Sequence, residues 1–158
     1  VGARRSHNYT AEYLLRIEHL IEQQGVAEYF LIIDETSAVH QYYRAADIFV
    51  CTSYNESYPR VVLEAMIYGL PVVSTNVYGI TEQLVGHFNA LLHPPGEHRT
   101  LCSHMTELVT NREKREEMGR NSRECFELVN TFDEMVDQYY DVIRGGIFSK
   151  YRQHEGQA

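Results

Sequence analysis

Short apolar runs alternate along the chain with stretches whose apolar residues recur every three or four positions. From Tyr9 to Gln24 the side chains of Tyr13, Leu14, Ile17, Leu20 and Ile21 keep helical spacing, with Asn8 or Thr10 placed to cap the start and Gly25 to stop the end. Tyr29-Phe30-Leu31-Ile32-Ile33 reads as a buried strand, and a helix follows over about 37–46. Asp47-Ile48-Phe49-Val50-Cys51 is the next predicted strand. A helix from near Pro59 to Tyr68 comes after it, ended by Gly69 and Pro71. Pro71-Val72-Val73-Ser74 predicts a third strand, Ile80 to Val85 a short helix, and Asn89-Ala90-Leu91-Leu92 a fourth strand.

These strands are continuous apolar runs, the pattern of a parallel sheet covered on both faces. Strands and helices in alternation with short loops imply right-handed crossovers, hence an α/β, Rossmann-like, doubly wound sheet flanked by helices. Ligands of such sheets sit outside the carboxyl ends of the strands, and the loop from Thr52 to Pro59 leaves one of those ends. From Glu97 onward the chain reads as C-terminal helices, with Leu101, Met105, Leu108 and Val109 on the first. Met118, Cys125 and Phe126 fall on the second. The third carries Phe132, Met135, Val136, Tyr139, Tyr140 and Ile143. The charged run over 111–117 is a solvated helix face. The domain is expected over residues 1–146, with a polar tail over 147–158 after Gly145-Gly146.

Composition narrows the function. The 158 residues suffice for one domain with a core, and 44% hydrophobic and 23% charged residues are ordinary for a globular protein. The net charge of −8 argues against a general nucleic-acid or anionic-membrane surface, though a helix N-terminus binds an anion without net positive charge. No apolar run is long enough to span a bilayer. The three cysteines, Cys51, Cys102 and Cys125, read as free thiols, and the eight histidines show no zinc spacing, so no metal and no cofactor is assigned. Core packing is the plain reading of Tyr42-Tyr43 and Tyr139-Tyr140. His93 reads as a structural histidine, and Glu82 as a charge that steadies a helix N-terminus.

The candidate chemistry lies between Glu56 and Glu64. Glu64 is the only charged side chain between Arg60 and Glu82, and a helix that apolar is expected to be buried, where a lone carboxylate is costly unless paired. Pro59 suits the first helical turn, with Ser57 or Tyr58 at the cap. The N–H groups of Arg60, Val61 and Val62 would then form an anion site, worth roughly 0.3–2 kcal/mol to a nearby charge. Arg60 adds a charge-assisted contact or is simply solvated. A carboxylate, an amide cluster and a second carboxylate in that order match a sugar, a diphosphate and a ribose. On spacing alone, Glu64 paired with a buried cation and Glu56 as a loop carboxylate fit equally.

The segments Ala45-Ala46-Asp47-Ile48-Phe49-Val50-Cys51-Thr52-Ser53, Asn55-Glu56-Ser57-Tyr58-Pro59-Arg60-Val61-Val62-Leu63-Glu64-Ala65-Met66 and Gly69-Leu70-Pro71-Val72-Val73-Ser74-Thr75 resemble the C-terminal half of the family 4 (group 1) glycosyltransferases. The hallmark of that family is two glutamates with seven residues between them, as Glu56 and Glu64 are here. The likeness continues through Gly79-Ile80-Thr81-Glu82, Gly86, Asn89 to Leu92 and Pro94-Pro95-Gly96, and reaches back to Val1-Gly2 as a strand end. It implies one half of a GT-B architecture, truncated at its N-terminal side, that binds a nucleotide-sugar donor. It further implies retention of anomeric configuration, hexosyl transfer in polysaccharide or glycoconjugate synthesis, and no metal in the fold. The parent enzyme is expected in the cytoplasm, including the inner face of a membrane, with peripheral attachment and no nucleic-acid partner. By the resemblance Glu56 is the catalytic position at the donor sugar, and Glu64 holds the ribose. Ser57, Tyr58, Pro59, Arg60 and Val61 hold the diphosphate, and Ile33-Asp34 falls loosely where the base is touched.

Two departures stand out. Ser57-Tyr58-Pro59 replaces the Gly-Phe-Gly common in the family, so residue 59 has no N–H to offer. Ala90 follows Asn89 where glycine is frequent, which bears on the geometry of that turn. The basic residues that neutralise the diphosphate and the domain that binds the acceptor are expected upstream; Arg4 and Arg5 are not promoted to that role. The chain alone is therefore expected to bind donor weakly and not to catalyse transfer. The alternatives are another GT-B sugar-nucleotide enzyme (an epimerase or a phosphorylase) and a non-catalytic Rossmann-like binding module.

Overall fold

The computed structural model describes residues 8–129 and 131–152 and divides into two units, residues 1–47 and 48–158. The sequence positions Val1-Gly2, Arg4 and Arg5 lie outside the described residues.

In the first unit, helix α1 spans Asn8–Gln23. It stops at Gly25, whose φ of 65° lets Gly25 N–H reach the Glu22 carbonyl and Val26 N–H reach that of Ile21. A 3₁₀ turn over Ala27–Tyr29 follows, then an irregular stretch to Thr36 and helix α2 over Val39–Ala45, which buries Tyr43. The strand expected over 29–33 is not formed. Tyr29, Phe30 and Leu31 are 78%, 56% and 80% exposed. An apolar run becomes a strand only where a ladder accepts its N–H and C=O groups, and among the described strands none pairs with this one.

The second unit holds three parallel strands in the order β1-β2-β3: β1 Phe49–Cys51, β2 Val72–Thr75 and β3 Ala90–His93. Val50 pairs with Val73 and Val73 with Leu91, while Thr75 faces His93. Every residue of β2 is buried, so the central strand is covered on both faces. The helices are α3 Arg60–Ile67, α4 Ile80–Gln83, α5 His98–Thr110, α6 Arg112–Glu127 and α7 Phe132–Arg152. The fold class is the expected one, a Rossmann-like parallel sheet flanked by helices, with three strands among the described residues in place of four.

The core gathers Val73, Leu91, Leu108 and Met118, with Ile48, Leu101 and Met105 packed against it. α3 buries Val62, Ala65 and Met66 and packs against α6. There a β-carbon on Gly119 would come within 2.4 Å of the Gly69 carbonyl oxygen, so glycine is what allows the two backbones this approach. Ser122 Oγ donates to Leu70 O at 2.7 Å, and Arg123 Nη2 to Tyr68 O at 3.3 Å, which satisfies carbonyls at the end of α3. α7 runs through Gly145-Gly146 to Arg152, beyond the expected end. Glycine weakens a helix by about 1 kcal/mol but, unlike proline, removes no hydrogen-bond donor. Tyr139 and Tyr140, expected in the core, are 65% and 58% exposed, because the described part of α7 leaves that stripe at the surface.

Candidate functional site

Because all three strands are parallel, their carboxyl ends share one edge, and the loop 52–59 leaves that edge from β1. Side chains of β2 and residues of α4 hold it from behind. Thr75 Oγ1 donates to Ser53 O at 2.6 Å, and Ser74 Oγ donates to Cys51 O at 3.0 Å. Gly79 N–H donates to Glu56 O at 3.3 Å, and Gln83 Nε2 to Pro59 O at 3.2 Å. Gly79 has an ordinary φ of −64°, so its value is space rather than conformational freedom. A β-carbon there would stand 1.3 Å from the Ser57 carbonyl oxygen. The residue before it, Tyr78, takes φ 36°, a left-handed conformation that costs a non-glycine residue about 1–2 kcal/mol. Strain is thus stored where the chain turns to bring Gly79 against the loop.

This clamp orients the loop's amides. The carbonyls of Glu56, Ser57 and Pro59 all turn toward the Gly79–Gln83 segment. No peptide bond among the described residues is cis, so the N–H that shares each of those peptide planes points the opposite way. These are the N–H groups of Ser57, Tyr58 and Arg60, and among the described residues none accepts from them. Three adjacent donors on one side of a loop, next to a helix start, make a concavity suited to an anion or to sugar oxygens.

The details differ from the sequence expectation in three respects. Pro59 is the N-cap of α3 rather than its first helical residue, with φ −69° and ψ 123°. No side chain caps the helix, so neither Ser57 nor Tyr58 plays that part. Val62 N–H is already used, donating to Pro59 O at 3.2 Å, which moves the open donors back to Ser57, Tyr58 and Arg60. Glu64 is half-buried, not engulfed, because α3 turns one face outward and leaves Val61 and Ile67 42% and 48% exposed. A carboxylate there bears far less desolvation than a buried helix would impose.

Glu56 is half-buried at the base of the loop, and its Oε1 accepts from Ser53 Oγ at 2.8 Å. Arg60 is exposed one turn before Glu64 on the same helix. The structure therefore brings Glu56, Ser57, Tyr58, Pro59, Arg60, Val61 and Glu64 into one loop and helix start. Ile33, half-buried, and Asp34, exposed, belong to the first unit and its irregular stretch. Glu82 is exposed and its side chain makes no hydrogen bond to the loop; its neighbour Gln83, which carried no signal of its own, does so. Ser53, Thr75 and Gly79 were equally silent as site residues, although glycine at the head of a short helix is a hint of close approach. His93 is 2% exposed, with Nδ1 2.9 Å from Pro94 O. Its Nε2 has no hydrogen-bond partner among the described residues. It is half satisfied rather than fully so.

Comparison with known proteins bears on the family and the fold. The family model described as glycosyl transferases group 1 matches residues 10–125. The D-inositol 3-phosphate glycosyltransferase of Paenarthrobacter aurescens is 28% identical over 137 residues, covering 82% of this chain and 33% of that protein. The N-acetyl-alpha-D-glucosaminyl L-malate synthase of Bacillus anthracis is 26% identical over 132 residues, covering 81% of this chain and 35% of that protein. This chain thus spans about a third of the length of these relatives. Among solved structures, Anabaena HepE in complex with UDP superposes with a TM-score of 0.81 at 21% identity, over 88% of this chain and 38% of that one. The same protein with UDP-glucose gives 0.78 at 21% identity, over 85% and 37%. Sucrose-phosphate synthase of Thermosynechococcus elongatus gives 0.81 at 23% identity, over 94% and 37%. These superpositions establish the fold, one half of a GT-B architecture, and the family match establishes kinship. The chain belongs to the group 1 glycosyltransferase family.

Proposed function

We propose that this chain is the donor-binding half of a retaining glycosyltransferase, which moves a hexosyl group from a nucleotide-diphosphate sugar to an acceptor in polysaccharide or glycoconjugate synthesis. The observation that carries the reading is the set of three outward N–H groups of Ser57, Tyr58 and Arg60, lying between Glu56 and Glu64. The amides and Arg60 take the diphosphate, helped by the positive end of α3. Glu64, one turn into the helix, accepts two ribose hydroxyls, and Glu56 stands at the transferred sugar as the catalytic carboxylate. Ile33-Asp34 is assigned to the base. The complexes of Anabaena HepE with UDP and UDP-glucose support a nucleotide-sugar ligand for this fold. No metal or other cofactor enters the reading, because amides and carboxylates suffice for each contact.

A diphosphate leaving group gathers negative charge in the transition state. Arg60 is the cation that the loop and helix start carry, so we place the remaining positive charge, and acceptor binding, outside these 158 residues. Donor binding by the chain alone is then weak and transfer absent. We place the parent enzyme in the cytoplasm. Among the described residues no helix is long and apolar enough to cross a membrane. Titration with UDP and with GDP tests the assignment. Glu64→Ala should weaken nucleoside-diphosphate binding by about tenfold or more, the loss of a charged hydrogen-bond acceptor. An unchanged affinity removes Glu64 from the ribose. In the full-length protein, Glu56→Gln should depress turnover far more than donor affinity; equal losses would make Glu56 a binding residue only.

A further inference from the structure

We propose that Ser53 is a positioning residue that fixes the carboxylate of Glu56 for the reaction, an inference that rests on Glu56 acting at the transferred sugar. Cys51 Sγ–H points at Ser53 Oγ across 3.7 Å, and Ser53 Oγ–H donates to Glu56 Oε1 at 2.8 Å. A serine three residues before a glutamate would ordinarily suggest a capping box, in which the serine side chain bonds a helix N–H. Here neither residue caps a helix: α3 begins at Arg60 with Pro59 as its cap, and the two side chains bond each other instead.

Both ends of this pair are anchored. The Ser53 carbonyl is held by Thr75, a side chain that is 1% exposed. The Glu56 carbonyl is held by the Gly79 amide. A hydroxyl fixed by its own backbone therefore dictates where a glutamate side chain of three torsions sits. With Oε1 occupied by Ser53, Oε2 and the second lone pair of Oε1 remain for the ligand. Ordering that side chain in advance removes an entropy cost that would otherwise fall in the reaction step. The effect belongs on turnover, while the outward amides that grip the diphosphate do not depend on the Ser53 side chain. Removing the hydroxyl also leaves the Thr75–Ser53 bond intact, because that bond uses the Ser53 carbonyl.

The test uses the full-length protein and nucleotide release from whichever of UDP-glucose, UDP-N-acetylglucosamine and GDP-mannose it turns over fastest. Ser53→Ala should lower kcat by about tenfold with KM changed less than about threefold. Ser53→Thr, which keeps the hydroxyl, should recover most of the rate. In the Glu56→Gln background Ser53→Ala should add little, since the hydroxyl acts through the carboxylate. Full additivity of the two substitutions, equal losses for alanine and threonine at position 53, or no loss for alanine would each overturn the proposal. A thermal scan of each variant separates misfolding from misplacement. If Glu56→Gln lowers turnover and Ser53→Ala does not, this inference fails and the function stands. If Glu56→Gln leaves turnover unchanged, both fall.

Discussion

The carbonyl oxygen of Ser57 lies 1.3 Å from the place where a β-carbon on residue 79 would stand. Nothing larger than glycine fits at 79 unless the loop carrying Glu56 moves. The pair links the strand-end loop of β1 to the short helix after β2, and together with the bonds from Gly79 N–H and Gln83 it turns three carbonyls inward and three N–H groups outward. The site is thus built by backbone contact at Gly79 together with the side chains of Ser74, Thr75 and Gln83.

Gly79→Ala should therefore be costly in two ways. Overpacking against backbone, which cannot rotate aside, destabilises by about 2–3 kcal/mol. The loop displacement should also reduce nucleoside-diphosphate affinity by about tenfold or more, since misaligned donors lose most of their hydrogen bonding. Chemical denaturation and titration with UDP measure the two effects.

The side-chain clamps are predicted to differ from each other. Thr75→Val removes the donor to Ser53 O and leaves a partly buried carbonyl unmet, at about 1–2 kcal/mol. Gln83→Leu loses one bond to Pro59 O, but that oxygen keeps Val62 N–H. The change also removes a buried amide oxygen, Gln83 Oε1, that has no partner among the described residues. Its net cost should be below about 1 kcal/mol, read from the shift in denaturation midpoint.

Gly119→Ala would bring a methyl within 2.4 Å of Gly69 O and push α6 from the end of α3. A loss of about 1–3 kcal/mol is expected. Because Ser122 and Arg123 also reach carbonyls at that end, hydrogen exchange at residues 66–70 should rise with it.

Acid should loosen the C-terminal helices. Glu107 sits below its ordinary value of 4.5 because Lys114 donates a hydrogen bond to it; partial burial opposes the shift and the Lys114 charge adds to it. Glu116 is lowered by Arg112 in the same way, and Glu134 by the backbone and hydroxyl of Thr131. A carboxylate depressed in the folded state stabilises above its unfolded value and loses that contribution as pH falls through its folded value. Melting temperature should thus decline as pH drops below 4.5, and less steeply in Glu107→Gln. These pairs are largely solvent-exposed, so a slope for Glu107→Gln indistinguishable from the parent would assign the effect elsewhere.

Most of the element order was legible from periodicity. The runs expected as strands at 47–51, 71–74 and 89–92 became Phe49–Cys51, Val72–Thr75 and Ala90–His93, and Gly25 and Gly69 mark helix ends with φ of 65° and 68°. The candidate loop was legible as well, because its two glutamates and its proline stand out from an apolar neighbourhood. What failed were inferences from apolarity to burial. The run 29–33 is as apolar as the true strands, yet it joins no described ladder. Glu64 sits in an apolar helix that exposes one face.

Local spacing determined most of the helix and strand order, a helix start near Pro59 and the placement of two carboxylates around it. Such features arise from interactions within a few residues, so they are written into adjacent positions. The direction of the loop amides, the setting of Glu56 and the exposure of Glu64 were decided by folding in three dimensions. Thr75 meets Ser53 across 22 positions and Gln83 meets Pro59 across 24. Periodicity states which side of an element is apolar; it does not state what will cover that side, nor which distant backbone a glycine will admit.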